Sequence, residues 1–207
     1  MKNFLVFIVL FLTGCQTPNL VEQRIYDPTV SVAGGSGIVV RVEPAIKGYE
    51  KVFILTANHA VKDVLIPVDY LKGMSNVVSA DVFGIWKADE DRDIAVIVGL
   101  VRTGIAKPAI ISETGQFDIG DKLYASGVPM GLTSITSGIA SSKNGPVGIY
   151  SGGVTFGNSG GGVFNEKGEL VGIITKVAVQ KTPATMPVYH IGLFTTIKKS
   201  DIDKMIK

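Results

Sequence analysis

Phe53-Ile54-Leu55-Thr56-Ala57-Asn58-His59-Ala60 sets a histidine directly behind an apolar strand. The strand anchors the imidazole from one side, and the short turn after it leaves the other side open. The chain has only two histidines, and one alone would be an ordinary core or surface residue. Asp93-Ile94-Ala95-Val96 puts a carboxylate at the mouth of a second apolar run. Asp89, Glu90 and Asp91 read as a solvated acidic loop; Asp93 differs because the run begins immediately after it. Gly157-Asn158-Ser159-Gly160-Gly161 is the third segment. A serine hydroxyl is a poor nucleophile unless a base takes its proton and something holds the developing oxyanion. Glycines on both sides of Ser159 let the backbone turn through conformations closed to other residues. Such a turn can aim the N–H groups of Gly157 and Ser159 at one point. A tight hairpin would use similar residues, so this segment takes its weight from the other two.

Around these segments the sequence reads as short strands parted by turns. Gly37 to Val42, Lys51 to Thr56, Val77 to Trp86 and Ile94 to Val98 are rich in β-branched and aromatic residues. After a looser stretch, Gly99 to Lys107, come Pro108 to Ile111, Lys122 to Ser126, Thr133 to Ser141 and Pro146 to Tyr150. Gly162 to Phe164, Leu170 to Val177 and Val188 to Thr196 complete the series. The pattern predicts an all-β fold of two six-stranded antiparallel barrels, about 31–103 and 104–196. One helical turn is expected over His59 to Val64. Ile197, Ile202, Met205 and Ile206 share a face of a C-terminal helix over 197–207, with Ser200 and Asp201 placed to cap it. Gln16 to Pro28 is polar and carries two prolines, so residues 15–30 are expected to be a tether.

Composition agrees with one folded unit. Hydrophobic residues make up 46% of the 207 and charged ones 18%, enough for a core and too little charge for disorder. With a net charge of +2 and no Lys/Arg cluster, nothing points to nucleic acid. No metal or cofactor is expected.

Phe4 to Leu12 is an unbroken apolar run behind Lys2. At about 1.5 Å per residue it spans about 14 Å, half of a bilayer core, so it reads as a secretion signal over 1–14 and not as a membrane span. Leu12-Thr13-Gly14-Cys15 resembles the lipobox of bacterial lipoproteins, in which the cysteine is lipidated. Cys15 is the only cysteine and cannot pair within the chain. That likeness implies a membrane anchor through lipid on Cys15, in a bacterial cell envelope, and Gln16 after it points to the outer membrane facing the periplasm.

The three chemical segments together resemble the trypsin-like, chymotrypsin-fold serine peptidases, and are most like the bacterial HtrA/Deg protease domain. Gly35-Ser36-Gly37-Ile38-Val39 is similar to the family's opening strand. Gly127-Val128-Pro129-Met130-Gly131 with Ile135-Thr136-Ser137-Gly138-Ile139 is like a strand–turn–strand of its second barrel. Gly168-Glu169-Leu170-Val171-Gly172-Ile173 matches the strand after the nucleophile. The likeness runs in order from about residue 32 to residue 200. It implies a serine endopeptidase acting on protein or peptide substrates, with Ser159 as nucleophile, His59 as base and Asp93 orienting it. Gly157 and Ser159 would form the oxyanion hole. Asn158 cannot make the ion pair that activates zymogen-type relatives, so no activating cleavage is expected. The PDZ domains usual in the HtrA group find no counterpart in this sequence.

By the same resemblance the pocket for the residue before the scissile bond has Gly153, Val154 and Thr155 on one wall. Thr175 and Val177 form the other, with Gly192 at the base. A Lys- or Arg-specific relative carries a carboxylate where Gly153 stands, and Leu170 to Ile174 lacks the His of glutamyl-specific ones. Burying an unpartnered charge costs several kcal/mol, so an uncharged residue such as Val, Ala or Leu is expected there. His190 reads as a strand or pocket-rim residue. Two other functions stay open on the residues alone: a non-catalytic peptide-binding lipoprotein, and an esterase.

Overall fold

The computed structural model describes residues 20–62, 68–72, 76–180 and 188–207. The expected signal and Cys15 lie outside the described residues. The chain opens with a helix, α1 (Leu20–Tyr26), followed by strands β1 (Thr29–Val32), β2 (Gly35–Pro44) and β3 (Tyr49–Ala57). A 3-10 turn at Asn58–Ala60 leads on to β4 (Val68–Lys72), β5 (Asn76–Asp89) and β6 (Ile94–Arg102). These six strands close an antiparallel barrel in the order β1-β2-β3-β6-β5-β4, with Ser31 of β1 opposite Asp69 of β4 at the seam.

The second half holds β7 (Ile110–Ile111), β8 (Lys122–Gly127), β9 (Ser134–Asn144) and β10 (Val147–Ser151). It continues with β11 (Gly162–Phe164), β12 (Glu169–Gln180) and β13 (Val188–Thr196), and ends in helix α2 (Lys199–Ile206). The sheet order is β11-β8-β9-β10-β13-β12-β7, and a further β11–β12 pairing brings the first six strands back on themselves. The expected double barrel is therefore present, with one addition: β7 pairs parallel to β12, Glu169 opposite Ile110.

The apolar runs of β3 and β6 are continuous, rather than alternating, because both faces are covered. Val52 and Ile54, with Ala95 and Ile97, join Val30, Val32 and Val39 in the first barrel's core. The alternate residues Phe53, Leu55, Ile94, Val96 and Val98 pack outward against Phe164, Leu170 and Ile173 of the second barrel. That same cluster takes Ile202, Met205 and Ile206 of α2. A third cluster fills the second barrel around Tyr150, Leu123, Val163 and Phe194.

Two expectations change at the ends. The segment read as a tether to Pro28 is helical from Leu20 to Tyr26, and Ile25 is 1% exposed within the inter-barrel cluster. Thr29 Oγ1 donates to the Ile25 carbonyl and accepts from Ser126 Oγ, each 2.7 Å away. Arg24 donates to the Lys167 carbonyl, and Asp27 pairs with Lys107. At the other end α2 starts at Lys199, and Asp201, inside the helix, reaches back to accept the Lys198 N–H at 3.3 Å. Strands β1 and β4 were not anticipated from the pattern.

Ile25 fills the seam as a full core residue, so Ile25→Ala should cost about 2–5 kcal/mol of unfolding free energy. Urea titration of the chain from Leu20 onward measures it; a loss under about 0.5 kcal/mol would mean that α1 is not part of the seam.

Candidate active site

His59 stands in the turn that ends β3, and Asp93 stands one residue before β6. Because β3 and β6 are paired neighbours, with Ala57 opposite Ile94, the two meet at one rim of the barrel. Three hydrogen bonds join them. The Asn58 N–H donates to the Asp93 carbonyl at 3.1 Å, and the His59 N–H to Asp93 Oδ1 at 3.0 Å. His59 Nδ1 lies 2.7 Å from Asp93 Oδ2. A carboxylate only accepts, so the proton of this last bond sits on Nδ1 and Nε2 is left with its lone pair. Asp93 takes the left-handed backbone, φ 55°, a conformation Asp tolerates better than most residues. The Asp93 N–H closes a turn onto the Glu90 carbonyl. The imidazole is 44% exposed and the carboxylate 25%, so the histidine faces the open side.

The serine turn is bent by the glycines around it. Gly157 has φ 93° and Gly160 φ 85°. Gly160 is also the point of closest approach: a Cβ there would collide with the Ser36 carbonyl and Thr56 Oγ1, and lie 3.0 Å from the Ala57 nitrogen. The turn thus presses on the end of β3, two or three residues from His59. Its own frame is set by the Asn158 side chain, 2% exposed, whose Oδ1 accepts the Thr155 N–H at 3.1 Å. The Gly160 N–H donates to Ile174 and the Gly161 N–H to Asn158. Among the described residues no acceptor pairs with the N–H of Gly157 or of Ser159.

Ser36 is the residue that sequence reasoning passed over. Fully buried on β2, it joins the two barrels through its N–H and its hydroxyl. Its N–H donates to the Ser159 carbonyl at 2.8 Å. Its Oγ donates to the Gly157 carbonyl at 2.6 Å and accepts the Val128 N–H at 2.8 Å. Its carbonyl accepts Thr56 Oγ1 at 2.7 Å. Gly35, one residue earlier, could carry no side chain, since a Cβ would lie 2.9 Å from the Ser159 carbonyl.

The residues expected around the substrate side chain divide. Val154 is 1% exposed and belongs to the second barrel's core, and a Cβ on Gly192 would lie 3.0 Å from its Cγ2. Val177 packs against the same core and stands opposite Gly192 in the sheet. Gly153 is exposed, with its carbonyl held by Thr136 Oγ1 at 2.9 Å. Gly152 lies on the ring of Tyr150, whose phenol is pushed up from its usual range by burial, against the pull of the Thr136 hydroxyl. Thr155 is half-buried. Thr175 is buried and lines a pocket of about 140 Å³ beside Asp93 with Arg92, Lys176 and Thr195. His190 falls on β13; residues 181–187 lie outside the described residues.

Comparison with known proteins agrees with this geometry. The family model described as a trypsin-like peptidase domain matches residues 35–173. The chain is similar to a Haemophilus influenzae protein named "Probable periplasmic serine protease do/HhoA-like", at 32% identity over 160 residues. It is similar also to an Ectopseudomonas mendocina protein named "Probable periplasmic serine endoprotease DegP-like", at 33% over 156 residues. Each match covers 69% of this chain and about 30% of the relative, so the chain spans less than a third of these relatives' length.

Ser36→Ala leaves the buried Val128 N–H without its acceptor and frees the Gly157 carbonyl. The loss should be about 1–3 kcal/mol in stability and at least about tenfold in kcat, from a misplaced nucleophile turn. Urea unfolding read together with turnover of a peptide substrate checks both; unchanged turnover per folded molecule would show that the turn keeps its shape without Ser36.

Proposed function

The chain belongs to the trypsin-like peptidase family, and from that we propose that it is a serine endopeptidase in which Ser159, His59 and Asp93 cleave peptide bonds through an acyl-enzyme. The observation that carries the reading is the pairing of His59 with Asp93 through Nδ1, with no partner on Nε2 among the described residues, beside a glycine turn that bears a serine.

Each step assigns one group its part. Ser159 Oγ attacks the scissile carbonyl while His59 Nε2 takes its proton, and Asp93 holds the imidazolium that forms. The carbonyl oxygen gains negative charge, which the N–H groups of Gly157 and Ser159 would receive. One such donor is worth about 10²–10³ in rate. His59 then gives the proton to the leaving amine, the C–N bond breaks, and Ser159 carries the acyl group. Water enters on the same path, giving a proton to His59 and its oxygen to the acyl carbon. Cleavage of the ester returns the proton to Ser159.

Specificity follows from Val154. Its methyl groups lie against Gly192 where a deeper pocket would continue, so the residue before the scissile bond meets a shallow apolar floor among Gly153, Thr155, Val177 and Gly192. We assign it a preference for small uncharged side chains, Val and Ala above Leu. The location is the bacterial cell envelope, as the periplasmic relatives suggest, with lipid on Cys15. Among the described residues no helix is long and apolar enough to cross a membrane. With α1 beginning at Leu20, only Gln16 to Asn19 stand between anchor and fold, a reach of at most about 14 Å.

Labelling with a fluorophosphonate probe tests the chemistry. Wild type should react, Ser159→Ala should not, and His59→Ala and Asp93→Asn should each slow the reaction by about 10³-fold or more. Labelling of Ser159→Ala at the wild-type rate would remove the assignment, and a peptide library cut mainly after Lys, Arg or Glu would remove the specificity. Separately, Cys15→Ala should move the protein out of the membrane fraction or leave its signal unprocessed. Unchanged fractionation of the processed variant would remove the anchor.

A further inference from the structure

Arg92 precedes Asp93 in the chain, and its own bonds run away from the barrel that carries it. Its guanidinium Nη2 donates to the Thr196 carbonyl at the end of β13. The same nitrogen lies 3.3 Å from Asp201 Oδ2 at the head of α2. Its backbone carbonyl accepts the Thr195 hydroxyl at 2.9 Å, and its N–H donates to Asp89 Oδ1 at 3.2 Å. Arg92 Nε is buried without a partner among the described residues, so the side chain holds this geometry with one donor unmet. The pocket beside Asp93 is lined by Arg92, Asp93 and Thr195 together, so the bonds lie next to the acid rather than at a distance from it.

We propose that Arg92 is a positioning residue for Asp93, clamping the acid's loop to β13 and α2 of the other half of the molecule. This rests on the reading of His59 and Asp93 as catalytic. Asp93 sits between two fixed points: the clamp on Arg92, and the pairing of Ile94 with Ala57. The two anchors fix the backbone of Asp93, and with it the origin from which its side chain reaches His59. The two oxygens therefore stay aimed at the His59 N–H and Nδ1. Thr195 and Asp201 serve by holding Arg92, and none of the three touches a substrate. Their removal should slow the chemical step, which needs the imidazolium held, and leave substrate binding unchanged.

The test uses Arg92→Met, Arg92→Lys, Thr195→Val and Asp201→Asn, with Ser159→Ala and Asp93→Asn as controls. For each, kcat and KM on a peptide p-nitroanilide ending in Val are measured beside the rate of fluorophosphonate labelling. Thermal unfolding and the low-field proton resonance of the His59 Nδ1–H bond are read on the same samples. Arg92→Met and Thr195→Val should lower kcat and the labelling rate about 10–100-fold with KM within about twofold. Both should displace or broaden the resonance, and Arg92→Lys should restore part of the loss. Thr195→Val removes one hydroxyl at nearly constant volume, so it carries the test if Arg92→Met does not fold. A lower unfolding temperature with kcat and the resonance both unchanged overturns the proposal and leaves Arg92 a structural tie. If Ser159→Ala and Asp93→Asn are inactive while the clamp variants are normal, only the clamp fails. Wild-type labelling of Ser159→Ala overturns the triad and the clamp together.

Discussion

One buried serine ties the two halves of this molecule at the place where their chemistry must coincide. Ser36 belongs to the barrel that holds His59 and Asp93, yet its N–H and Oγ are spent on the turn that holds Ser159. Its carbonyl returns to Thr56, three residues ahead of His59. Buried polar groups without partners cost about 1–3 kcal/mol each, so an opening between the barrels would leave several exposed to that penalty at once. Ser159 and His59 thereby share one frame despite the hundred residues between them. The glycines obey the same constraint. Gly35 and Gly160 are bare because the Ser159 carbonyl stands against one and the Ser36 carbonyl against the other.

Hydrophobic burial supplies what these bonds cannot. The outward faces of β2, β3 and β6 form a layer with Phe164, Leu170 and Ile173, and both terminal helices add side chains to it. Burying a Phe, Leu or Ile contributes about 1.5–3 kcal/mol each. Polar contacts fix the register of the two barrels within a seam that this layer holds closed. Divided in this way, alignment and cohesion come from different residues.

Much of this was legible in the chain. Two apolar runs, one ending before His59 and one beginning after Asp93, read as strands; that they pair, are covered on both faces and bring the two side chains to one rim emerges only in the fold. What escaped did so for identifiable reasons. Helix α1 is seven residues long and buries Ile25 while Arg24 makes a polar contact, too little to display a period. Strands β1 and β4 are short, and β7, expected within Pro108 to Ile111, finds its parallel partner about sixty positions away, where no local pattern points. Ser36 falls in the segment read as an opening strand, but nothing local says that it is buried or that it reaches the serine turn. Val154 looks like a pocket wall until Gly192 is seen against it.

Ile25 near the start of the fold and Ile202, Met205 and Ile206 at its end lie in one cluster. The two ends of the described fold are thus fastened to one layer, in which Phe53, Leu55 and Val96 of the first barrel meet Phe164, Leu170 and Ile173 of the second. A side chain lost from either helix loosens the same seam, so the two ends act on the alignment of the barrels as a single fastening.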